Sequence, residues 1–132
     1  MWRVWVAGLS VALAVGVAGA RDISPLARRL KMPEIEVAWQ KVRVAHIIQA
    51  TQRRGAQRVE PAAFELIRYF QDIERAPDLD AALRTRAGET LGLLRVLERE
   101  ARLSDGPGMQ RAVRAVQRAC DSCHEAAGLK KS

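Results

Sequence analysis

Apolar residues recur at three- and four-residue spacing along most of this chain, the period of a helix with one buried side. Ser24-Pro25 is a helix start, with serine as cap and proline in the first turn. The run that follows meets Pro33, which kinks the first helix or starts it again. From Glu34 to about Gln52 the apolar side carries Ile35, Ala38, Trp39, Val42 and Ala45. Arg53-Arg54-Gly55 breaks this pattern, a polar link runs to Glu60, and Pro61 is placed to open the second helix. Its stripe reads Phe64, Ile67, Phe70 and Ile73, and Pro77 ends it. Asp78 or Asp80 caps a third helix bearing Leu79, Leu83, Leu91, Leu94, Leu97 and Ala101. Gly88 and Gly92 weaken that helix or admit a close neighbour. Ser104 to Gly108 is a turn signal. The fourth helix runs from about Pro107 to Ala127, with Met109, Ala112, Val113, Val116, Ala119, Cys120 and Cys123 on one side and Gly128 placed to end it. No segment alternates with a period of two. The pattern predicts an all-α fold, an antiparallel four-helix bundle.

The opening stretch follows a different rule. Residues 1–20 hold one charge, Arg3, then a nearly unbroken apolar run that closes on Ala18-Gly19-Ala20. This is the layout of a secretory signal peptide with a small-residue cleavage site. The rival is a retained anchor, but the run is about 17 residues, at the short limit for a bilayer. The reading therefore divides the chain into a leader, 1–20, and one exported domain, 21–132, destined for the periplasm, with no membrane span after cleavage. Losing the leader removes only Arg3 from a net charge of +7. The remaining basic excess is a solvated surface or an attraction for an acidic partner protein or anionic membrane. Export argues against nucleic acid.

Both cysteines and one of the two histidines fall within Cys120-Asp121-Ser122-Cys123-His124. C-x-x-C-H is the attachment signature of c-type haem. On a helix Cys120 and Cys123 lie almost one turn apart on one face, so each thiol can add across one vinyl group. His124 then follows as the proximal iron ligand. A thioredoxin-type redox pair normally opens a helix in a strand-containing setting. Two cysteines and an adjacent histidine make a poor tetrahedral zinc set. A disulfide closing so short a loop adds little stability. One covalent haem c is the expected cofactor, and export suits it, because bacteria attach c-type haem outside the cytoplasm.

A leader, four helices and C-x-x-C-H on the last of them resemble the class II cytochromes c. That family includes high-spin cytochromes c′ and low-spin relatives with a methionine as sixth ligand. The likeness covers residues 21–132. Ala126, Ala127 and Gly128 stand where many members carry an aromatic and a basic residue. Any sixth ligand must lie upstream of the motif. Met109 is on the same helix, about 22 Å along the axis from His124, and cannot reach the iron. In an antiparallel arrangement Met32 lies near the motif's end of the fold, while His46 is about 21 Å further along. The resemblance implies a ligand early in the first helix, which makes Met32 the candidate distal ligand. It also implies a basic propionate partner there, for which Arg28 and Arg29 are candidates. Arg118 is a weaker one.

The expectation is a periplasmic monohaem electron carrier with no catalytic activity of its own, docking to an acidic redox partner. The alternatives are a five-coordinate haem protein that binds nitric oxide or carbon monoxide, and a haem subunit of a larger oxidoreductase. The resemblance further implies a homodimer, for which Val37, Val44 and Ile48 lie off the main stripe.

Overall fold

The computed structural model describes residues 24–51, 55–103 and 105–128. The leader expected over residues 1–20 lies outside them. The described chain is all-helical, with five helices packed on one another: α1 (Pro25–Arg29), α2 (Met32–Thr51), α3 (Gly55–Arg75), α4 (Ala81–Arg102) and α5 (Gly106–Ala126). Among the described residues no helix is long and apolar enough to cross a membrane.

Five helices arise where four were expected because the first is cut before Pro33. Ser24 Oγ accepts from the Ala27 N–H to start α1. The helix closes at Leu30, and Lys31 turns into the left-handed region with φ 55°. Glycine usually fills this position after a helix end, and a residue with a Cβ there costs about 1–2 kcal/mol. The Lys31 carbonyl then accepts from the Ile35 N–H and opens α2. Pro33 thus sits in a first turn, where its missing N–H costs nothing.

The second break also moved. α3 begins at Gly55, and Pro61 lies inside it rather than at its start. The proline removes one early helical bond, and the buried face around it holds the helix together. That face is Val59, Ala62, Ala63, Leu66, Ile67, Phe70 and Ile73. Phe64, expected in the stripe, is instead 55% exposed. Asp80, not Asp78, caps α4, accepting from the Ala82 N–H at 2.7 Å. Leu79 therefore precedes α4 and is half-buried. Asp105 caps α5 through the Gly108 N–H at 3.0 Å. Gly128, at φ 68°, follows the last turn of α5 in the left-handed conformation expected of it.

Consecutive long helices run side by side in opposite directions. Lys41 of α2 pairs with Glu65 of α3 at 3.3 Å, each about as far from the connection as the other. A Cβ added to Gly88 in the second turn of α4 would meet Glu74, near the end of α3. Between α4 and α5, Arg86 reaches Ser122 near the open end, and Glu100 lies against Gly108 near the connection. α3 packs extensively on both α2 and α4, and α5 on α4, whereas α5 touches α2 only lightly. The core between them takes Trp39, Val42, Leu66, Phe70, Leu91, Leu94, Leu97, Met109 and Val116. Burying each of the larger aliphatic side chains contributes about 1.5–3 kcal/mol.

Candidate functional site

The C-x-x-C-H sequence occupies the last two turns of α5, where Cys123 is buried and Cys120 and His124 are half-buried. Both cysteines are free thiols. Their surroundings differ because their helix faces different neighbours. Burial pushes the Cys120 thiol up to about 12, with Cys123, Asp121 and Glu36 of α2 adding to the rise. Burial also raises Cys123, but the Arg86 guanidinium of α4 opposes that rise. Both thiols are therefore protonated near neutral pH. The charge of Glu36 on α2 is felt at Cys120 and that of Arg86 on α4 at Cys123.

Arg86 was not legible as a site residue. Its Nη1 donates to Ser122 Oγ, inside the motif, at 2.7 Å. Nothing local to Arg86 announces this contact. It needs the register of α4 against α5.

The register of α2 against α5 is set by Trp39, whose Nε1 donates to Gln117 Oε1 at 2.8 Å. Three residues back along α2 is Glu36, and three residues forward along α5 is Cys120, whose thiol feels the Glu36 charge. The two helices are thus antiparallel; Met32 lies one turn before Glu36 on α2, as His124 lies one turn after Cys120 on α5. Met32 is the first residue of α2 and half-buried, packed against the core that also receives Cys120. Leu26 of α1 shares a cavity of about 290 Å³ with Leu83, Arg86, Ala126 and Ala127, beside the motif's last turn. The start of the chain's first helix thus lies across this cavity from the end of its last.

His124 Nδ1 is buried and has no hydrogen-bond partner. A buried polar atom left so is uncommon in a native protein. His46 Nδ1 and Arg84 Nε share this condition, but only His124 stands beside two thiols. No group of three or more His, Cys, Asp or Glu side chains comes together to hold a metal ion among the described residues. Two free thiols one turn apart and a neighbouring unsatisfied imidazole fit, in kind, the donor set of a c-type haem.

The remaining candidates are dispersed. Arg29 donates to both carboxylate oxygens of Asp78, at 3.1 and 2.9 Å, and ties α1 to the α3–α4 connection. Arg28 is exposed and makes no ion pair among the described residues. Arg118 is exposed. His46 is half-buried, and Met109 is fully buried in the core. On the outer side of α2 and α3, Val37, Val44 and Ile48 line a groove of about 650 Å³ with Pro61 and Ala62.

No family model, no curated protein and no solved structure matches this chain.

Proposed function

We propose that this protein is an exported, periplasmic c-type cytochrome with one covalent haem, built as an antiparallel bundle of α2–α5 in the manner of class II cytochromes c, and that it carries single electrons. The observation that carries the reading is C-x-x-C-H on the last turns of α5, with two free thiols and a buried, unpaired imidazole nitrogen. When bound, haem supplies a one-electron iron couple. Cys120 and Cys123 would hold the haem by their thiols, and His124 would supply an imidazole to its iron. Met32, one turn before Glu36 on α2, would be the second iron ligand. A thioether there favours a relatively high reduction potential. Arg28, exposed one turn before Met32, is the better placed propionate partner, because Asp78 already occupies Arg29. The chain acts as a carrier and not as an enzyme. The apolar groove of α2 and α3, with Glu36, Lys41, Arg58 and Glu65 around its rim, serves self-association. A monomer by analytical ultracentrifugation at micromolar concentration removes the dimer from this reading.

The test is the absorption spectrum of the purified exported protein, ferric and ferrous, with and without carbon monoxide, beside Met32→Ala. A low-spin spectrum indifferent to carbon monoxide, which becomes high-spin and responsive in Met32→Ala, is the expected result. A wild-type spectrum that shifts with carbon monoxide replaces electron transfer with gas binding at an open iron. Absence of a haem spectrum from protein expressed with a functioning attachment system overturns the cytochrome reading.

A further inference from the structure

Lys31 holds a left-handed conformation at φ 55°, where a glycine would carry no penalty. Backbone strain of this kind gathers at binding sites, where the side chain it presents is needed. Lys31 lines a cavity of about 320 Å³ between the α1–α2 joint and the last turns of α3. Arg29, Tyr69, Asp72 and Arg75 bring further polar groups to it, and the buried residues Leu30 and Ile73 lie in the same wall. Its volume is that of a small-ligand pocket, a class that runs from about 300 to 1,000 Å³. No residue of α4 or α5 lines it, so it is separate from the C-x-x-C-H turn. Its polar groups are largely unspent. Lys31, Tyr69, Asp72 and Arg75 make no ion pair or side-chain hydrogen bond with a described residue. Arg29 gives Nε and Nη2 to Asp78 and keeps Nη1.

We propose that this cavity binds a small hydroxylated polyanion, with Lys31 at the α1–α2 joint and Arg75 on α3 holding its carboxylate or phosphate groups. The site goes beyond the cytochrome reading and does not depend on it. Three cations against one carboxylate in the lining favour negative charge. Guanidinium and ammonium groups both take carboxylates and phosphates in charge-assisted hydrogen bonds. Tyr69 and Asp72 select further. A phenol can donate or accept, and a carboxylate accepts, so the pair suits a ligand hydroxyl, while Asp72 repels an oxyanion on its own side. The carbonyl ends of α1 and α3 also attract basic residues to their last turns. That attraction accounts for Arg29 and Arg75. It does not account for the strain at position 31, which a glycine would relieve and only a lysine exchanges for an ammonium in the cavity wall.

The test is isothermal titration calorimetry of the purified exported protein at constant ionic strength, with citrate, glycerol 3-phosphate and acetate as probes. Three single variants of equal net charge are compared: Lys31→Gly, Arg75→Gln and Arg95→Gln, the last an exposed arginine of α4 outside the cavity. Citrate is expected to bind saturably at one site, and acetate much more weakly. Lys31→Gly and Arg75→Gln should each weaken citrate about tenfold, and Arg95→Gln less than about twofold. Melting temperature without ligand gives a second readout. Lys31→Gly should raise it, because the strain is gone, while the rise that citrate causes in the wild type shrinks. Tighter binding of glycerol 3-phosphate than of citrate, lost in the same two variants, supports the site and assigns it to a phosphate. Wild-type citrate affinity in Lys31→Gly overturns the proposal, as does an equal loss in Arg95→Gln, since the effect is then net charge alone. Absence of saturable binding of both citrate and glycerol 3-phosphate overturns it too. None of these readouts needs haem, so failure of the cytochrome reading leaves the result for this cavity intact.

Discussion

Trp39 and Gln117 are 78 positions apart in the chain, and the indole N–H of one meets the side-chain carbonyl of the other at 2.8 Å. Gln117 passes the connection on, donating from Nε2 to Asp121 at 3.1 Å, one residue past Cys120. This is a directional contact across a boundary that is otherwise lightly packed, and it helps set the register of α2 against α5.

Trp39→Phe keeps an aromatic ring in the core but removes the donor. The expected cost is about 1 kcal/mol, from the lost bond and the stranded Gln117 carbonyl. Urea unfolding of Trp39→Phe, Gln117→Ala and the double variant checks this. Contact between the two predicts a coupling of at least about 0.5 kcal/mol. Strict additivity contradicts it.

The two phenylalanines should behave in opposite ways. Phe70 is 5% exposed, whereas Phe64 is 55% exposed. Phe70→Ala is expected to cost about 3–5 kcal/mol. Phe64→Ser should stay within about 0.5 kcal/mol. A large loss for Phe64→Ser in a strictly monomeric sample would mean that its face is covered by the protein itself.

The glycines of α4 also differ. A Cβ at Gly92 meets nothing within 4 Å, but one at Gly88 comes within 2.7 Å of a Glu74 carboxylate oxygen. Gly92→Ala should stabilise the fold by about 0.5–1 kcal/mol through helix propensity alone. Gly88→Ala should gain less, because the Glu74 side chain must first swing aside. Thermal melts of the two variants give the ranking directly.

Burial lowers His46 below its ordinary 6.5. Its folded pKa lies under the unfolded one, so its contribution is intact above about pH 6.5 and is lost as pH falls through the folded value. His46→Gln should flatten the loss of stability between about pH 7 and pH 5, measured as denaturation midpoints. An unchanged slope would place the titrating group elsewhere. Asp78 also titrates below its usual value because Arg29 bonds to it, but that pair is exposed and adds little.

Much of the fold follows from period alone. Ala38, Trp39, Val42 and Ala45 are buried as their spacing requires, and Asp80 and Gly128 act as cap and stop. The failures have physical causes. Lys31 takes a left-handed turn that nothing in a lysine advertises. Reading Pro61 as a helix start left out Val59, and of the stripe it gave, Ile67, Phe70 and Ile73 are buried but Phe64 is not, Ala62, Ala63 and Leu66 completing the inner face instead. At the site, Cys120, Cys123 and His124 could be read from one pentapeptide. Arg86 could not, because its partner Ser122 is 36 positions away.

The uneven packing described for the five helices implies uneven local stability. α3, held on two sides by α2 and α4, should open only with the whole molecule, and its amides should exchange hydrogen most slowly. α5 leans on α4 and is fastened to α2 by little more than one indole and one amide. α2 is placed alike, leaning on α3, so the two outer long helices each have one extensive neighbour. The segment with the chain's only cysteines is thus carried on an outer helix, whose amides should exchange faster than those of α3.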